Sequence, residues 1–405
     1  QDDNTWKWMG NVTQVIVKNL SHFNIRHKGE LSINDASASN ISLSSASIKN
    51  IHAFLKNNPI FTINNSGGNF IDSNNFITWD KLSFDQTANS LSIDSFTYTP
   101  TLSRDSFVLS HQYQADYITA KTNAIRMEGT DIESYISDST LKTRKLTIEN
   151  PVITAYRDAT KPFKHGYIKY LPSIMIKRFP LLFSFDTIQM NGATITYSQV
   201  DKKTEKTGTI PLTHLNATLF PVRNYNLQTN DSLELHASAL IMGKAPMQLI
   251  AKESYEDSLA GIHILLSANA ADLTILNPAL IPLVSAKLKS GWLDTLNMDV
   301  KADEYTAYGE MKMNYKNLKI SIVKKGDPNA KTFLTRLGNF AANTFLLRHK
   351  NKDKHTGTVY FERLRERSFF NYLVKMTISG ITSATGLKNN TKKLRQYKNR
   401  TGRKG

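Results

Sequence analysis

Along residues 181–219 apolar and polar positions alternate with a period of two: Leu182, Ser184, Asp186 and Ile188 interleave with Phe183, Phe185 and Thr187. Ala193, Ile195 and Tyr197 then interleave with Thr194, Thr196 and Ser198. Side chains that change face at every residue mark a β-strand. Asn191-Gly192 separates the two runs, and a polar turn at 201–208 leads into Ile210, Leu212, Leu215, Ala217 and Leu219, so the stretch reads as a β-meander.

The same unit recurs upstream. Short strand patterns fill 11–41 and 61–98, and Ile48, Ile51 and Leu55 place a helix over 47–55. The segment 130–136 predicts a capped helix, with Thr130 as N-cap and Glu133 three residues on. Strand residues 146–148, the break Asn150-Pro151 and strand residues 152–156 follow it. A third helix, over 170–179, precedes the meander. Three copies of helix, strand, break and strand imply an elongated array whose units bury their apolar faces against neighbours.

Strands continue through 232–269. Asn277 as N-cap and Pro278 at the first helical position open a helix carrying Leu280, Leu283, Val284 and Leu288, which Gly291 would stop. Strands over 293–302 and 308–323 complete a body spanning 1–328, ended by the linker Gly326-Asp327-Pro328. A C-terminal amphipathic module, 329–387, carries two apolar stripes, Phe333 to Phe345 and Phe370, Leu373, Val374, Ile378 and Ile381. The end, 388–405, holds eight Lys or Arg and no acid, and is expected to be disordered.

Charge sharpens this division. The net charge is +17, of which +15 falls in 331–405 and only +2 in 1–330. The 405 residues include no cysteine, which removes disulfides, thiolate metal sites and cysteine nucleophiles, and fits an oxidising envelope. No nucleophile elbow, P-loop, dinucleotide fingerprint or HExxH motif is present, and the ten histidines are dispersed. No catalytic residue, metal ligand or cofactor site is expected. Tyr156-Arg157-Asp158 ends a strand and reads as a terminal ion pair in preference to a polar-ligand site.

At these residues the chain resembles the AsmA-like bacterial envelope proteins, relatives of TamB and of the bridge-like lipid-transfer proteins. The resemblance rests on KLTIENPVITAYRD and FDTIQMNGATITYSQVD, on Leu276-Asn-Pro leading to Ser290-Gly291-Trp292-Leu293, and on TGTVYFERLRERSFFNYLVKMTISGITSATGL. It implies a mainly β fold with short helices: an elongated, twisted antiparallel sheet curved into a U-shaped groove, with C-terminal amphipathic helices. It also implies a periplasmic location, an inner-membrane anchor missing from this chain, and a part in phospholipid movement or outer-membrane upkeep.

The expected function is therefore non-enzymatic binding or transport of phospholipid acyl chains. Phe183, Phe185, Ile195 and Tyr197 are the candidate groove residues. Phe370, Leu373, Val374, Arg363, Arg365, Arg367, Lys392, Lys393 and Arg395 are the candidates for membrane contact, since apolar burial and basic charge together bind anionic lipid. The alternative is an assembly scaffold that recruits outer-membrane proteins by strand addition. Nucleic acid is the least favoured partner, because Tyr397 is the only aromatic in the last 30 residues.

Overall fold

A computed structural model describes residues 7–24, 29–45, 47, 50, 54, 58, 60, 62–322 and 356–401. The helix expected over 47–55 lies largely outside the described residues, and the linker at 326–328 and the stripe at 333–345 lie wholly outside them.

The described chain is mainly β and forms one large sheet. Its first half is built from long strands, most of them broken in the middle. These are β1 (Met9–Val17) with β2 (Leu20–Asn24), β3 (Glu30–Ile33) with β4 (Ala36–Ser44), β5 (Thr62–Asn65) with β6 (Gly68–Ile71), and β7 (Asn75–Trp79) with β8 (Lys81–Asp85). β9 (Ser90–Pro100) and β10 (Asp116–Asp131) follow, then β11 (Thr140–Glu149) with β12 (Val152–Asp158), and β13 (Leu182–Val200). The second half holds β14 (Thr207–Phe220), β15 (Val222–Arg223), β16 (Ser232–Ile241), β17 (Ala245–Ser254), β18 (Ile262–Ala268) and β19 (Ala271–Asp272). β20 (Ala286–Ala302), β21 (Thr306–Ile322) and β22 (Thr356–Glu362) close it. Among the described residues six α-helices accompany the sheet: α1 (Arg104–Ser110), α2 (Ile132–Asp138), α3 (Pro172–Lys177), α4 (Asn277–Val284), α5 (Phe369–Ala384) and α6 (Thr391–Thr401).

The breaks expected as turns are something else. Asn191-Gly192 lies inside the 19-residue strand β13, where the register to β14 shifts between Met190 and Ala193. Gly192 sits at φ +62, a conformation that costs glycine little, so the site is a bulge and not a hairpin. Neighbouring strands break at the same level. Asn34 N–H bonds to Gly67 O and Ser66 N–H to Asp35 O, Ser95 and Asn150 take positive φ, and Asn150 N–H bonds to Asn191 O. A bulge bends its strand, so this line of irregularities creases the sheet into a trough.

Pairing is antiparallel except that β13 runs parallel to both β11 and β12. A parallel neighbour needs a long crossover, and residues 159–181, which contain α3, supply it. Two caps also differ from expectation. Thr130 stays in β10, and Asp131, whose carboxylate accepts from Ser134 N–H, caps α2. Leu276 caps α4, while Asn277 exchanges two hydrogen bonds with the backbone of Leu288, which lies in β20 and is no part of the helix.

The main core lies at the C-terminal end of the trough, where α5 packs Tyr372 and Met376 onto Met298, Val300, Met311 and Val359. The outer edge of β22 is closed by the same helix. Thr358 N–H donates to Ser383 Oγ, Tyr360 N–H donates to Ser379 Oγ, and Asn390 Nδ2 donates to Thr358 O. Within the last stretch, residues 391–401 form α6, which turns Tyr397 inward against Tyr308 and Tyr360, an anchor that its basic composition hides. Met376→Ala should cost ~2–5 kcal/mol by leaving a cavity. Urea unfolding would check this, and a loss under ~1 kcal/mol would place α5 outside the cooperative unit.

Candidate apolar groove

Residues directly opposite each other in a sheet project to the same face, so following the register from strand to strand traces each face. From β1 to β10 one such row runs Val15, Ala38, Ile63, Phe84, Leu91 and Met127. It continues through Leu146, Ile188, Leu219, Leu235 and Ala251. It ends with Ile264, Val300, Gly309 and Val359. Every member is apolar or glycine across fifteen strands. At about 4.8 Å per strand this makes a path of roughly 65 Å. The next row on the same face, through Ile93, Ile125, Ile148, Met190, Ala217, Ala237, Leu249, Leu266, Met298 and Met311, is equally apolar.

The opposite face is polar along most of its length: Ser37, Asn64, Ser83, Ser92, Arg126, Thr147, Gln189, Thr218 and His236 pair in sequence across it. A shallow depression lined by Gln248, Ile250, Leu265 and Asp299 lies on that side, away from the apolar rows.

Beyond the crease the same inner face continues. Met190 pairs with Ala217, Ala193 with Leu215 and Ile195 with Leu212, so the bulges in β13 and β14 keep all six side chains on one side. A third row there runs Leu31, Phe70, Ile77, Tyr98, Ala120, Ile153, Ile195 and Leu212. All eight are half-buried.

The cover changes along the path. Val15 is 43% exposed, whereas Ile264, Val300 and Val359 are 0% exposed beneath α4, α5 and the 159–181 crossover. Near the N-terminal end α2 places Ile132 and Ile136 over Phe84 and Leu91. The trough is thus plugged at its C-terminal end, covered again by α2 over Phe84 and Leu91, and exposed at β1.

Of the expected groove residues, Ile195 and Tyr197 lie on this face, half-buried. Phe183 and Phe185 reach the interior too, but in a packed cluster with Val222, Leu233 and Tyr255. Among the expected membrane contacts, Phe370 is 42% exposed, Leu373 packs on the core and Val374 is half-buried. Lys392, Lys393 and Arg395 are exposed on α6. Arg363 is not a surface group. Its guanidinium is buried in an ion pair with Glu304 and lies over Tyr372, because a cation removed from water must take a carboxylate with it. Arg365 joins Glu304 at 3.3 Å, and Arg367 lies over Phe163 with its centroid 3.7 Å away.

Sequence reasoning missed Glu253, although it continues the inward register of Leu249 and Ala251. It accepts from Ser173 N–H at 3.1 Å and Ser173 Oγ at 2.7 Å, tying α3 to the sheet. Burial pushes its carboxyl up to about 7, and Oε2 has no hydrogen-bond partner among the described residues. Also among these residues, no group of His, Asp and Glu has the arrangement of a metal site, and no helix is long and apolar enough to cross a membrane. Comparison with protein-family models and with curated proteins gives no match.

Glu253 makes stability depend on pH. Its folded pKa lies above its ordinary 4.5, so the folded state holds the proton more tightly. The contribution is full below pH 4.5 and is lost as pH rises to about 7. The loss is at most about 3 kcal/mol. Glu253→Gln keeps an acceptor for Ser173 and should flatten this slope, leaving the variant more stable than the parent at pH 8. Identical pH profiles of urea midpoint for the two proteins would overturn the assignment.

Proposed function

We propose that this chain is a non-enzymatic protein of the bacterial cell envelope that holds phospholipid acyl chains along its apolar inner face, in the manner of the AsmA-like proteins it resembles. The observation that carries the proposal is the unbroken apolar register across fifteen strands, facing a trough that is only partly covered. A globular core needs no continuous apolar row across so many strands. A chain of methylene groups, which is non-directional in its contacts, is the ligand such a surface fits. In this reading the periplasm is its location, supporting lipid homeostasis or outer-membrane biogenesis. The exposed Phe370 and the α6 cations Lys392, Lys393 and Arg395 form its contact with a membrane surface.

One observation favours a second activity, strand addition by an envelope protein. The edge at β22 is closed by side chains of α5, whereas β1 pairs only with β4 among the described strands and exposes Met9, Val15 and Ile16.

The test is mass spectrometry of lipid carried through purification. Met127→Glu and Ile188→Glu place charge on the inner row and should reduce bound phospholipid about tenfold or more, since a buried charge costs several kcal/mol. Ser92→Glu and Thr218→Glu place it on the outer face and should leave loading unchanged. Equal loading in all four variants, or an empty parent protein after exposure to lipid vesicles, would sink the proposal.

A further inference from the structure

The inner face changes character at one end of the strands around β10, β12 and β13. Ile118, Ala155 and Tyr197 continue the apolar surface, and one step further along the same strands Asp116 pairs with Arg157. Those residues are two positions on, hence on the same face about 7 Å away. Two neighbouring segments bring further cations to this rim: Lys169 from the 159–181 crossover and Arg367 from the chain between β22 and α5.

The charges there do not cancel. Arg157 Nε and Nη2 hold Asp116 from 2.7 and 2.5 Å, and Lys169 Nζ stands 3.8 Å from the same carboxylate. Arg367 has neutral partners, Gln114 Oε1 at 3.2 Å and the ring of Phe163. The nearest other acid, Glu366, is occupied by Gly166 N–H at 2.7 Å and by His165 at 3.3 Å. Three cations thus share one carboxylate. Burial, and then the like charge of Arg157, hold Arg367 below the usual guanidinium range. An anion placed there would relieve that repulsion.

We propose that Arg157, Lys169 and Arg367 form a binding site for the phosphate of a glycerophospholipid whose acyl chains lie on the adjoining apolar floor. The inference rests on the lipid reading above. A phosphate diester suits it, because guanidinium donors meet two phosphate oxygens at once and a lysine adds a point charge. Tyr197 and the half-exposed Phe370, whose rings stand 6.2 Å apart, mark where the apolar floor meets this rim.

The competing view is that the cluster only fastens the 159–181 crossover and the chain at 363–367 to the sheet. Equilibrium loading of the full chain separates the two, using phosphatidylglycerol, diacylglycerol with the same acyl chains, and inorganic phosphate as probes. The parent protein should take phosphatidylglycerol about tenfold more tightly than diacylglycerol, and Arg367→Gln should reduce that ratio to near one. Arg367→Lys should restore part of it, which a merely structural role would not produce at an unchanged urea midpoint. Lys169→Gln should lower the ratio by a smaller factor.

Diacylglycerol loading equal to phosphatidylglycerol in the parent would overturn the phosphate site and leave the groove standing. Failure of both lipids to load would overturn both. Inorganic phosphate bound as tightly as the lipid, with the same dependence on Arg367, would make the ligand a free phosphate and overturn the headgroup assignment.

Discussion

Direct cross-strand pairing of apolar residues, kept in register through bulges, is the constraint on which the rest of this structure depends. A strand shifted by one residue exchanges its two faces, so a single slip between β10 and β14 would put Met127, Leu146 and Ile188 into water and Arg126, Thr147 and Gln189 inside. The bulge at Asn191-Gly192 meets this constraint where the sheet bends. It inserts a residue so that Met190 and Ala193, of opposite parity, face the same way. Bending the sheet and preserving its inner face are therefore one structural act.

The charged groups follow from that inner face. Where the trough is filled, two carboxylates, Glu253 on β17 and Glu304 in the turn between β20 and β21, lose water and must find other means of staying buried. Glu304 does so with Arg363 and Arg365, while Glu253 does so by holding its proton and accepting from Ser173. Both interactions tie the sheet to segments that lie across it, α3 in one case and the chain after β22 in the other. The polar groups here tie particular segments across the trough, and apolar contacts such as those of Met376, Met311 and Val359 bury the surface beneath them.

Much of this was legible in the sequence, for physical reasons that also mark the limits. Period-two alternation identified β13, β14, β16 and β17, because one face of each is apolar. Ile188 and Ile195 differ in parity, yet a bulge puts them on one side of β13. A bulge and a turn use the same Asn-Gly chemistry, so the sequence around 191 could not separate them. The parallel pairing of β13 depends on the path of the crossover, which periodicity does not encode. Arg363 and Arg367 looked alike in a basic run, and only the placement of Glu304 and Gln114 distinguishes them.

The cover along the trough is asymmetric. At the C-terminal end the apolar rows are fully occupied by α4, α5 and the crossover, with Val300 and Val359 0% exposed. A ligand there would have to displace packed side chains, each worth about 1.5–3 kcal/mol of burial. Toward β1 the same rows are only half-covered, and Val15 and Val17 are exposed at the edge. Between these ends α2 sets Ile132 and Ile136 over Phe84 and Leu91, so part of the N-terminal half is covered as well. The register that makes the face apolar therefore runs the whole length of the trough, while the segments laid across it decide which part of that face is left accessible.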